Sequence, residues 1–129
     1  MELIEHKKQD SRKDYDAIVS VDESFNRFDY QRFVEARLLV SSRVFGIVVG
    51  RIKTDALVPL ADMLNHQLPK QTSWYFCDQQ QGFVIQSMRE ILPGAEVFDS
   101  YGQKCNSRYL LNYGFTLPAN SLNEVVIIL

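Results

Sequence analysis

Cysteine is scarce: Cys77 and Cys105 are the only two in 129 residues. With His6 and His66 as the sole histidines, potential ligands are too few and too separated for a zinc site, so no metal is expected. The two thiols read as free, which points to a reducing compartment, cytoplasmic or nuclear. No apolar run approaches the roughly 20 residues of a spanning helix, so no membrane partner is expected. The stretch Met1 to Asp16 is charged rather than apolar, unlike a secretory signal. A basic surplus is missing as well: 14 Lys and Arg against 16 Asp and Glu give a net charge of −2. That balance argues against a nucleic-acid platform, and no nucleic-acid partner is expected. Gly46-Ile-Val-Val-Gly50 fits neither a P-loop nor a dinucleotide fingerprint. Asp62, His66 and Ser100 hint at a hydrolase triad, but no nucleophile-elbow glycines flank Ser100. Internal repeats and low-complexity segments are also missing.

What remains is a chain of one-domain size whose 46% hydrophobic and 12% aromatic content suffices for a core. Residues 1–23 read as a charged tail or an upstream remnant, with little periodicity. Asp29 caps a helix predicted to run to about Phe45, with Tyr30, Phe33, Val34, Arg37 and Leu38 near a 3.6 period. Arg43 near its end reads more readily as a solvated arginine favoured by the helix dipole than as an anion contact. Residues 56–59 read as a short extended segment, and 67–72 as a loop. A β-hairpin is predicted from residues 73–77 and 83–87 around a turn at 78–82. Leu92-Pro93-Gly94 suits a type II turn leading to a strand at 96–98. Asn106 caps a short helix closed by Gly114, and the β-branched run 124–129 reads as a buried strand. The count is α+β, mostly β, with short hairpins rather than alternating βαβ units.

Two stretches stand out chemically. Residues 96–115 combine a strand, a tight turn at Tyr101-Gly102 and a helix, with Tyr101 and Tyr113 at the edges of that unit. A tyrosine at a strand end, held by a glycine turn, presents its hydroxyl at a fixed point, although a core tyrosine with a satisfied hydroxyl reads equally well. The second stretch, Pro59-Leu60-Ala61-Asp62-Met63-Leu64-Asn65-His66, ends in a histidine. A lone histidine is more often a satisfied buried imidazole than a catalyst.

Taken together these stretches resemble the SET-domain methyltransferases, in the branch of the Rubisco large-subunit lysine methyltransferase and the actin-histidine methyltransferase. The text that carries the resemblance is Ala61 to His66, then Ile91 to Gly102, then Asn106 to Phe115, with Ser42-Arg43-Val44-Phe45 matching the branch's Ser-Arg-Ala-Phe. Four motifs in the right order cover about residues 24–129, read as a partial SET domain: an insert helix at about 29–45 and a C-terminal core at about 56–129.

The resemblance implies short β-sheets with a pseudoknot that brings residues 101–115 beside Asn65-His66. It implies S-adenosylmethionine as the cofactor and a protein lysine, less readily a histidine, as the acceptor. By position, Tyr101 is the catalytic tyrosine. Arg43, Asp62, Met63, Leu64, Asn65, His66, Tyr113 and Phe115 are cofactor-binding, and Tyr75 lines the substrate channel. The chain departs from the family in having Gln67 after Asn65-His66, and in lacking the N-terminal glycine-loop strands and the helical substrate-docking domain. A larger chain or complex supplying the other SET half is therefore an expected partner beside the protein substrate. The alternative is a non-catalytic SET-derived interaction or structural subunit.

Overall fold

The computed structural model describes residues 2–124. It is a small α+β fold in which three helices accompany three two-stranded sheets. Helical residues outnumber strand residues, against the mostly-β expectation, because the charged N-terminal stretch is helical rather than a tail: α1 spans Glu2–Val21. Part of its support is electrostatic. His6 faces Asp10 at 3.3 Å, Arg12 faces Asp16 at 3.9 Å, and Lys8 faces Glu5 at 3.7 Å, spacings of three and four residues that share a helix face. These exposed pairs each contribute little, and the helix also needs an apolar anchor on α2. Tyr15 supplies the anchor: its hydroxyl donates to the Phe28 carbonyl at 2.7 Å, and its ring packs on Phe25, Tyr30 and Phe33.

Helix α2 (Tyr30–Ser41) starts where expected, with the Asp29 carboxylate accepting from the Arg32 amide at 2.8 Å. Arg37 pairs with Asp14 of α1. The helix ends at Ser41, short of Phe45, because the β-branched run that follows is a strand. β1 (Val44–Val49) pairs antiparallel with β2 (Ile52–Leu57), a hairpin that subsumes the extended segment expected at 56–59. Burial along β1 alternates, with Phe45 and Ile47 inside and Gly46 and Val48 out, the period of two that a half-covered strand demands.

The second hairpin is close to its predicted position: β4 (Thr72–Cys77) and β5 (Gly82–Ser87) pair antiparallel. Cys77 opposes Gly82, so the connecting loop is 78–81. The two hairpins meet through aromatics. Phe45 meets the rings of Trp74 and Phe83 edge-on at 5.2 and 5.1 Å, a geometry that suits the quadrupoles of the rings. At the far end, the Gly50 amide donates to Asp78 Oδ1 at 2.9 Å.

Between these layers β3 (Asn65–His66) and β6 (Phe98–Asp99) form a short parallel pair. The pair is pinned by buried Thr72, whose hydroxyl lies 3.1 Å from the Phe98 carbonyl and 3.0 Å from Asp99 Oδ1. Ala95 donates to the Leu92 carbonyl at 3.0 Å with Gly94 at φ +81°, the type II turn expected there. The strand it leads to is shifted, however, to 98–99.

Helix α3 (Asn106–Tyr113) closes at Gly114 in the left-handed region, as expected of a C-terminal glycine. Its N-cap is Cys105, not Asn106, and no side chain caps it. Asn106 is used elsewhere: its amide both donates to and accepts from the backbone of Leu117, at 2.9 and 3.0 Å, folding the return loop back on the helix. Cys77 and Cys105 are free thiols. No described helix is long and apolar enough to cross a membrane. The strand expected at 124–129 lies, beyond its first residue, outside the described residues.

Candidate active site

The site is built on the turn that follows β6. Gly102 has φ +89°, a backbone conformation that side chains rarely adopt, so the turn favours glycine; the Lys104 Nζ that a Cβ would meet at 2.8 Å ends a flexible side chain that can swing away. Tyr101, just before it, is held by segment 64–66 at two points. Its amide donates to His66 Nδ1 at 3.0 Å, and its hydroxyl donates to the Leu64 carbonyl at 2.7 Å. Its own carbonyl accepts from Lys104 Nζ. Burial, and then the charge of Asp99, pushes the Tyr101 phenol above its ordinary value, against a smaller opposing pull from Arg43. The phenol is therefore neutral. With its proton committed to Leu64, the oxygen lone pairs are its remaining hydrogen-bonding capacity.

Beside this tyrosine lies a cleft of about 630 Å³, within the range of small-molecule sites. Ser42, Arg43, Asp62, Met63, Asn65 and His66 form part of its wall. Tyr101, Tyr113, Phe115 and Leu117 complete it. A second hollow of about 300 Å³ shares Arg43, Asp62, Tyr101 and Tyr113 with the first and adds Phe45, Leu64, Trp74 and Asp99. Tyr101 thus stands on the wall common to both.

Arg43 Nη1 donates to the Asp62 carbonyl at 3.0 Å and lies 3.5 Å from its carboxylate, so the guanidinium, though exposed, is tied to the cleft wall through Asp62. Asn65 Nδ2 donates to Glu96 Oε1 at 2.7 Å. The His66 ring lies against Tyr109, Tyr101 and Phe115 at 4.9, 5.3 and 5.9 Å. Burial, followed by Lys104, lowers the pKa of His66, while Asp99 pulls it the other way. Tyr113 sits 4.8 Å from Tyr101, its phenol raised by burial and then by Tyr109.

Of the residues singled out in the sequence, Arg43, Asp62, Met63, Asn65, His66, Tyr101, Tyr113 and Phe115 come together at the cleft, and Leu64 lines the second hollow. Tyr75 lines neither. Strand alternation turns Trp74 inward onto Phe45 and leaves Tyr75 on the opposite, exposed face. Trp74 lines the second hollow. Leu117 and Tyr109 are site neighbours that the sequence reading does not single out, and Ser42, part of the Ser42-Arg43-Val44-Phe45 motif, is given no role by it. Tyr109 is fully buried, donates to the Gly102 carbonyl at 2.6 Å and stacks on Phe115 at 5.3 Å. Its spacing of four from Tyr113 on α3 was the available signal. Among the described residues no group of three His, Cys, Asp or Glu side chains is placed to hold a metal ion.

The arrangement suits a ligand with an anionic end near Arg43 and a flat or cationic part against the Tyr113 and Phe115 rings. No family model matches the chain. Curated relatives do. The ribosomal lysine N-methyltransferase set10 of Schizosaccharomyces pombe is 34% identical over 106 residues, 78% of this chain and 19% of its own length. Ribosomal lysine N-methyltransferase 1 of Saccharomyces cerevisiae is 30% identical over 109 residues, 78% of this chain and 18% of its own length. The N-lysine methyltransferase setd6 of Danio rerio is 41% identical over 69 residues, 53% of this chain and 15% of its own length. The chain thus spans less than a fifth of the length of these relatives. Its homologues are SET-domain protein lysine methyltransferases, and its small α+β fold with short sheets is consistent with part of a SET fold.

Proposed function

We propose that this chain, whose homologues methylate protein lysines, carries the methyl-transfer half-site of a SET-type protein lysine N-methyltransferase of the Rubisco large-subunit methyltransferase branch, with S-adenosylmethionine as donor. The observation that carries the reading is the position of Tyr101 on the wall shared by two hollows, with Arg43 and two aromatic rings in the larger one.

The residues of that cleft fit the donor. Arg43 would take the carboxylate of its amino-acid end, where a guanidinium matches two oxygens. Asp62 orients Arg43 through the contacts described above. Asn65, His66 and the backbone from Met63 and Leu64 would bound the pocket floor, and the rings of Tyr113 and Phe115 would cover flat surface or positive charge. When bound, the donor supplies an electrophilic methyl group on a sulfonium.

The chain's own residues do the rest by placement. Methyl transfer is an in-line displacement, so it needs acceptor and donor on opposite sides of the reacting carbon, the relation two hollows meeting at one wall provide. Tyr101 stays protonated and gives that proton to Leu64, so its oxygen presents lone pairs to the acceptor amine. An acceptor lysine must be neutral, against a reference pKa of about 10.4. The apolar wall formed by Phe45, Leu64 and Trp74 disfavours its charged form. A protein substrate follows from this reading. So does a covering polypeptide, from a longer chain or a complex, which exposed Leu57, Leu60 and Met63 beside the site support.

The test is calorimetric titration of S-adenosylmethionine into the chain, with Arg43→Ala as control. Saturable binding that Arg43→Ala weakens at least tenfold is expected. A folded protein that binds no donor would overturn the reading in favour of a SET-derived interaction module.

A further inference from the structure

The Tyr101 amide donates to a side chain, His66 Nδ1 at 3.0 Å, although it sits two residues beyond a backbone ladder in which the Gln67 amide still finds the Asp99 carbonyl at 2.9 Å. An imidazole that accepts through Nδ1 must carry its proton on Nε2 and be neutral. A protonated ring would set an Nδ1–H against the Tyr101 N–H at that same distance. The same segment grips the other end of the residue, because Leu64 accepts the phenol proton at 2.7 Å. Moving the Tyr101 backbone therefore moves the phenol.

We infer that His66 is the positioning residue of this site: its Nδ1 fixes the Tyr101 backbone, and the tyrosine keeps its place only while the imidazole is uncharged. The surroundings hold the ring in that state. On α3 it meets Tyr109, whose hydroxyl is already committed to Gly102, and past α3 it meets the uncharged Phe115. Lys104, next to the turn, brings a positive charge that opposes a second one. Asp99 on β6 acts in the opposite sense, but its carboxylate accepts from the Thr72 hydroxyl at 3.0 Å. Nε2 is buried and has no partner among the described residues, so no donor there requires it to accept, and its own N–H is left unpaired.

This inference gives Tyr101 its catalytic weight only through the methyl-transfer reading, but the hydrogen bond can be tested without activity. The chain's only other histidine is His6, exposed on α1. Long-range ¹H–¹⁵N spectra of the imidazoles therefore resolve His66 directly. The expected result is an Nε2–H tautomer, with the Tyr101 amide shifting at the same midpoint as His66, below the ordinary histidine value. An Nδ1–H tautomer, or a Tyr101 amide that stays flat while His66 titrates, overturns the inference. In the active enzyme, kcat should show an acid limb at that midpoint, on top of the slope set by deprotonation of the acceptor lysine. His66→Asn, whose Oδ1 reaches as Nδ1 does, should recover at least tenfold more kcat than His66→Ala and lose the acid limb. Equal loss in both variants would count against the role, and folding of each is checked by the Tyr109 and Trp74 near-ultraviolet signals.

Discussion

On the methyl-transfer reading, Tyr101 concentrates the chemistry in one hydroxyl. Replacing Tyr101 by Phe keeps the ring between Tyr113 and Phe115 and removes only the bond to Leu64 and the lone pairs facing the acceptor. Turnover should fall about a hundredfold or more, while calorimetric donor affinity changes less than about threefold. A parallel collapse of affinity would show that the hydroxyl builds the pocket and does not act on the acceptor. At this scale the sequence was informative for a definite reason. The tyrosine turn and the Asn65-His66 stretch are local signatures, and their meeting requires only the parallel pairing of β3 and β6. Tyr75 was misread because a single residue's face depends on strand register, which Trp74 and Tyr75 share ambiguously until Phe45 decides it. Tyr109 was overlooked because a buried tyrosine looks like core, and here it is both core and site wall support.

Among the elements, β1 governs how the hairpins stack. Phe45, only 9% exposed, is the ring on which Trp74 and Phe83 meet. Phe45→Ala should lower the unfolding free energy by about 3 kcal/mol. Val48→Ala, on the exposed face of the same strand, should change it by less than about 0.5 kcal/mol. Urea titrations followed by the fluorescence of Trp74, the only tryptophan, would separate the two, and equal effects would mean that the hairpins do not share a core. Two elements were hidden in the sequence for opposite reasons. Only Ser41-Ser42-Arg43 separates the apolar residues that end α2 from the β-branched residues of β1, a polar gap no longer than the polar side of one helical turn, so the pattern reads as a single helix. Helix α1 has the converse problem: its partners are charges three and four residues apart, which do not register as an apolar stripe.

For the whole molecule, three partly buried groups bear on the pH range of stability, beside exposed Asp22, whose carboxyl is lowered by its hydrogen bonds with Ser24. The pKa of His66 is lowered from 6.5, so its contribution is present above that value and is lost as pH falls through the folded value. Tyr101 and Tyr113 are raised from 10.0, so theirs is present below that value and is lost as pH rises through the folded values. Urea midpoints should therefore be flat from about pH 7 to 9.5 and decline on both sides. His66→Asn should flatten the part of the acid decline nearest pH 6. An unchanged acid limb in that variant would assign the loss to carboxylates alone.

The parallel contact between β3 and β6 has a kinetic consequence. Each hairpin closes through a short turn, whereas the Tyr101 amide finds its histidine 35 positions away along the chain. Distant contacts carry a larger loop-closure entropy and form late. The catalytic hollow should then assemble only after both hairpins exist, and it should open first when the molecule breathes. In hydrogen exchange, the amides of Gln67 and Tyr101 should lose protection well before those at the centre of β1 and β4. A polypeptide clasping both segments at once would slow that opening more than any improvement of the hairpins could.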